Sequence, residues 1–102
     1  LGVYFLSKYI RQSPEIDQLK LDNCKISDDG LSILLWSMAD IRVDKLYLRD
    51  NQITKDGLDR ILEYASRKKS LTLVNLKSNP IDKAVTASYI KEFSAHRVIL
   101  LT

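Results

Sequence analysis

The sequence predicts an α/β protein made by repetition of one unit, a short strand followed by a turn and a helix. Three observations carry that expectation. Leucine and isoleucine account for 16 and 10 of the 102 residues, against 3 glycines and 2 prolines. Apolar residues return at matched positions 27 and then 28 residues apart. Within each interval the hydrophobic period changes from 2 to about 3.6, as it does where a strand feeds a helix.

The repetition comes first because it decides the architecture. Ile16, Leu19, Leu21, Cys24, Ile26 and Gly30 set a spacing that Val43, Leu46, Leu48, Asn51, Ile53 and Gly57 reproduce, and Leu71, Val74, Leu76, Asn79, Ile81 and Val85 reproduce again. A fourth copy opens at the C terminus, where Arg97, Val98 and Leu101 echo Arg42, Val43 and Leu46. Residues 1–14 read as the trailing helix of a preceding unit: Phe5, Leu6 and Tyr9 have the spacing of a helix core face, and Ser13-Pro14 ends the segment. The expected organisation is a single domain over 1–102. It comprises units at 15–42, 43–70 and 71–97 and the start of a further strand at 98–102, as a section of a longer solenoid.

Each element has its reason in the unit. The strands are Leu19-Lys20-Leu21, Leu46-Tyr47-Leu48 and Val74-Asn75-Leu76, apolar inward and variable outward. Ser27, Thr54 and Asp82 share one column and supply oxygens that accept from the free N–H groups of a first helical turn, which places three helix starts. The helix core stripes are Leu31, Leu34, Leu35 and Met38, then Leu58, Ile61, Leu62 and Ala65, then Thr86, Tyr89, Ile90 and Phe93. Arg67, Lys68 and Lys69 suit the negative end of a helix dipole. The column of Cys24, Asn51 and Asn79 falls where each strand gives way to its turn. Backbone groups there lack ladder partners, and a buried amide bridges them from one unit to the next. Cys24 is expected in the same interior slot as a structural thiol.

Hydrophobic residues make up 45% and charged residues 28% of the chain, proportions of a globular domain rather than of a disordered tail. No apolar run approaches the roughly 18 to 20 residues of a membrane span. The single cysteine forms no intramolecular disulfide, and the expected compartment is reducing and cytoplasmic. Net charge is only +3. Residues 15–42 carry 3 basic and 6 acidic groups and residues 43–70 carry 7 and 5, so neither a nucleic-acid nor a membrane partner is expected. Arg67-Lys68-Lys69-Ser70 is a short basic run without interleaved aromatics. Asp28-Asp29-Gly30 is too short for a calcium loop, and one histidine, His96, with one cysteine does not support zinc. Asp50, Asp56, Asp59 and Glu63, interspersed with Arg60 and Arg67, read as a solvated, salt-laced face. No cofactor, metal or catalytic centre is expected.

The segments LKLDNCKISDDGLSILL, LYLRDNQITKDGLDRIL and VNLKSNPIDKAVTASYI resemble leucine-rich repeats of the ribonuclease-inhibitor-like type, whose pattern LxxLxLxxN/CxL leads into a helix. The cysteine-containing repeats of F-box proteins share part of this pattern and come second. Val85 in place of a small residue and Pro80 after Asn79 depart from it. The resemblance implies a right-handed leucine-rich repeat solenoid, with a short parallel concave sheet and helices on the convex side. It also implies a non-catalytic protein-protein interaction module. The partner-binding residues would be the strand side chains that the fold does not need: Lys20, Asp22, Lys45, Tyr47, Arg49, Leu73, Asn75 and Lys77. Gln18 joins them, and Leu100 extends the set if the last strand forms. A regulatory segment of a GTPase-activating or similar enzyme-regulating leucine-rich repeat protein is the alternative the resemblance leaves open. Ile33 and Trp36 fall in convex columns, to serve either as a second contact patch or as packing for the adjacent helix. The C-terminal edge, Val98-Ile99-Leu100-Leu101, is apolar and is expected to be covered by the rest of the parent chain or another subunit.

Overall fold

The computed structural model describes residues 15–102, so the helix expected over 1–14 lies outside the described residues. Strands β1 (Glu15–Lys20), β2 (Arg42–Tyr47), β3 (Leu73–Asn75) and β4 (Ile99–Leu101) form one parallel sheet in chain order. Helices α1 (Asp28–Ser37), α2 (Lys55–Arg67) and α3 (Lys83–Ala95) connect them. The register aligns Leu19, Leu46, Val74 and Leu100, all buried. Leu21, Leu48 and Leu76 follow at the strand ends and are buried too, against Leu31, Leu34, Met38, Leu58, Ile61 and Phe93 from the helices. Each such side chain contributes roughly 1.5 to 3 kcal/mol by leaving water.

The predicted caps form. Ser27 Oγ accepts from the Gly30 N–H at 3.3 Å, Thr54 Oγ1 from Asp56 at 3.3 Å and Asp82 Oδ1 from Ala84 at 2.9 Å. The amide bridge forms as well. Asn51 Nδ2 donates to Leu21 O at 2.9 Å and Arg49 O at 3.1 Å, while its Oδ1 accepts from the Cys24 and Ile26 N–H groups at 2.9 and 3.0 Å. Asn79 repeats this one unit on, donating to Leu48 O at 2.8 Å and accepting from Ile53 N–H at 3.0 Å. The turn that admits these amides requires a left-handed residue just before the column. Asn23, Asp50 and Ser78 occupy it at φ 54°, 55° and 63°, and short polar side chains of the Asn and Asp kind tolerate that region best.

Neighbouring helices are tied by polar groups around a close approach. Asp28 accepts from the Thr54 N–H at 2.9 Å and from the Thr54 hydroxyl at 2.5 Å. It can do so because position 57 is glycine, where a Cβ would overlap Asp28 Oδ1 and Ile53 Cγ2. Arg60 crosses to α1, donating to Asp28 O and Ser32 Oγ at 2.6 Å each, and Lys68 Nζ reaches Ala39 O at 2.8 Å. The buried Tyr64, which the helix stripe did not include, donates to Met38 O at 3.2 Å. Between α2 and α3, the Tyr89 hydroxyl donates to Asp59, which also pairs with Lys55 at 3.4 Å.

Three expectations are corrected. Cys24 is exposed; only its backbone N–H meets Asn51, and its thiol donates to Asp22 O at 3.4 Å. The interior slot lies between units, and no described strand precedes β1 to close one around Cys24. Ile90 is 43% exposed rather than core. Its counterpart Leu35 is buried against α2, whereas no described helix follows α3. The fourth copy is shorter by one residue, so Leu100 rather than Leu101 takes the inward column of Leu46 and Val74. The end of α3 causes this. Arg97 turns left-handed at φ 62°, its N–H bonds to Ser94 O at 2.9 Å, and the Val98 N–H bonds back to Phe93 O at 2.9 Å. That paired closure is the Schellman motif. It drops Val98 straight into the core, two residues before Leu100.

Asn51→Ala leaves Leu21 O and the Cys24 and Ile26 N–H groups without their partner, and a loss of about 3 kcal/mol is expected in urea unfolding. Burial pushes the Tyr64 phenol up to about 12. An unfolded chain ionises it near 10, so the contribution of the neutral ring is fully present below about pH 10 and is lost as pH rises towards about 12. Tyr64→Phe is expected to flatten that loss in urea midpoints collected from about pH 9 to about pH 12.

Candidate functional site

The helix-facing side of the sheet is consumed by the core, so the opposite, open face holds the side chains that packing does not use. Because partners in a parallel ladder stand side by side, the register arranges them in rows. Gln18, Lys45, Leu73 and Ile99 form one row, and Lys20, Tyr47, Asn75 and Leu101 form the next. Beyond the strand ends, the Asn23 N–H bonds to Arg49 O and the Asp50 N–H to Lys77 O, both at 2.9 Å, which sets Asp22, Arg49 and Lys77 in a third row.

Seven of the eight expected residues lie at least partly open on this face. Lys20, Asp22, Arg49 and Lys77 are exposed, and Lys45, Tyr47 and Leu73 are half-buried. The Lys20 ammonium stands 5.8 Å from the centre of the Tyr47 ring, within the range of a cation–π contact. Asp22 Oδ1 accepts from the Arg49 N–H at 2.7 Å, so one carboxylate of this surface also staples two turns. Lys45 pairs with Asp44 at 3.5 Å. The Thr72 hydroxyl, and after it Lys45, holds the Asp44 carboxyl below its usual range.

Asn75 does not belong with them. It is 8% exposed, flanked in register by Tyr47 and Leu101, and its Oδ1 accepts from the Lys77 N–H at 3.1 Å. Its amide shapes the turn rather than offering itself to a partner. Leu100 is withdrawn likewise, since it points into the core, and Ile99 takes its place on the open face at 60% exposure. The signal for Ile99 was present in the shortened spacing from Val98, but only the helix closure at Arg97 shows which residue is missing.

The other singled-out groups divide between structure and surface. Ile33 and Trp36 are exposed on α1, with Trp36 at the lip of a groove of about 480 Å³ that Leu35, Arg60 and Tyr64 also line. In the salt-laced face, Arg67 pairs with Glu63 at 2.6 Å while Arg60 reaches Asp29 at 3.7 Å across the helix interface. Such exposed pairs contribute at most about 1 kcal/mol. Arg67, Lys68, Lys69 and Ser70 meet Arg42 around a shallow pocket of about 350 Å³. Asp28, from the Asp28-Asp29-Gly30 run, is engaged with Thr54. Among the described residues, no helix is long and apolar enough to cross a membrane.

No curated protein matches the chain. Residues 44–62, which run from β2 through the Asn51 turn into α2, match the family model described as Leucine Rich repeat. That match falls on the middle of the three units, and the parallel four-stranded sheet with three helices fits a leucine-rich-repeat-like fold.

Proposed function

We propose that this chain is a section of a right-handed solenoid of the ribonuclease-inhibitor-like kind and serves as a non-catalytic module that binds a protein partner in the cytoplasm. The partner docks on the open face of the sheet. One observation carries the reading: Lys20, Tyr47 and Arg49 sit together on a face that no described element covers, while the fold engages Tyr47 and Arg49 through their backbones. A half-buried tyrosine beside an arginine and a lysine is a grouping suited to an interface, because tyrosine and arginine are enriched among residues that dominate binding energy. The similarity of residues 44–62 to a leucine-rich repeat supports the same general role.

The test uses the pair Tyr47→Ala with Arg49→Ala. The melting curve is expected to stay in place, because the backbone bonds survive, while capture of a protein partner from cell lysate weakens about thirtyfold, the loss of one strong contact. Capture that survives unchanged places the site elsewhere.

A further inference from the structure

The open face is not uniform, and its asymmetry says what kind of segment it fits. Leu73, Ile99 and Leu101 gather on the β3 and β4 side, with Ile99 60% exposed. Lys20 ends β1, and Arg49 and Lys77 lie just past the ends of β2 and β3, so these cations run along the strand ends from β1, all exposed. None of these three takes part in a salt bridge among the described residues. Asp22 is the one carboxylate in the three rows, and one of its oxygens already accepts from the Arg49 N–H. Tyr47 stands between the two zones, with the Lys20 ammonium near its ring.

We propose, on the reading of this face as the partner site, that it selects a protein segment acidic at one end and apolar at the other, laid across the strands with its acidic end towards β1. Charge complementarity chooses the occupant. Three unneutralised cations favour carboxylates and repel a basic segment, while the leucine and isoleucine corner gains by excluding water from an apolar partner. The span is short: neighbouring strands lie about 4.8 Å apart, so crossing from β1 to β4 takes about 14 Å, which four or five extended residues cover. A segment with two or three acidic residues followed by two or three large apolar ones meets both zones at once. The apolar corner distinguishes this surface from a general polyanion binder, because a phosphate backbone offers nothing for Ile99 to bury.

The experiment measures fluorescence anisotropy of labelled peptides of about ten residues with the whole chain. One peptide is acidic then apolar, one has the acids replaced by lysine, and one has the apolar residues replaced by serine. The first is expected to bind at least tenfold more tightly than either control. Its affinity should fall severalfold between about 50 and about 300 mM NaCl as the charges are screened. Lys20→Glu with Arg49→Glu should remove most of the binding, and what remains should no longer weaken as salt rises. Ile99→Ser should weaken binding and keep the salt slope. Equal binding of the lysine peptide, or of single-stranded DNA in its place, overturns the proposal. So does self-association of the chain that Ile99→Ser abolishes, since the occupant would then be a second copy. If the peptides fail while Tyr47→Ala with Arg49→Ala still abolishes capture, the stated chemistry is wrong and the partner site stands. If capture is also indifferent to that pair, both fall.

Discussion

The fold depends on a carboxamide that belongs to one unit and completes the backbone of another. A short parallel strand ends after a few residues, and the chain must turn outward to begin a helix. The turn leaves carbonyl and N–H groups facing the interior with no ladder to join. Asn51 closes that gap with four hydrogen bonds, three of them into the preceding unit. The same geometry recurs at Asn79. Without it, the apolar columns would still collapse, but buried polar groups at every turn would set the units against one another.

This dependence explains which features were readable from the residues. The strand positions, the caps at Ser27, Thr54 and Asp82 and the role of Asn51 follow from spacing within a unit and from the chemistry of one side chain. What escaped was set by neighbours. Cys24 occupies the right column, yet among the described residues no slot closes around it, because a slot requires a unit on each side. Asn75 alternates outward as expected but is buried, flanked in register by Tyr47 and Leu101, residues far from it in the chain. Ile90 has the helical spacing of a core residue, and among the described residues no helix covers it. The slip of one residue at Leu100 arose at the close of α3, where backbone hydrogen bonds rather than hydrophobic spacing decide where the next strand begins.

The candidate site follows the same division. Its location was legible, because the outward positions of a repeating strand are the ones free to vary without loss of packing. Its composition was not fully so. The exposed Ile99 joins Leu73 and Leu101 only through the register of β4, and that register turns an apparently mixed surface into one with a cationic side and an apolar corner. The helix side, by contrast, places several polar groups in service to the stack: Asp28, Arg60, Tyr64 and Lys68 each reach from one unit to the next.

The amide bridges all reach towards the N terminus. Asn51 serves the turn before it and Asn79 serves the turn of Asn51, so each unit is finished by its successor and owes less to its predecessor. The stack is therefore directional in its construction, like a row of roof tiles in which each course overlaps the one beneath. A bridge is lost when either of its units opens: loosening of the first unit takes three of the bonds of Asn51, and loosening of the third takes those of Asn79 to Leu48 and Ile53. Repetition in sequence thus goes with direction in structure, since both bridging amides belong to the later of the two units they join.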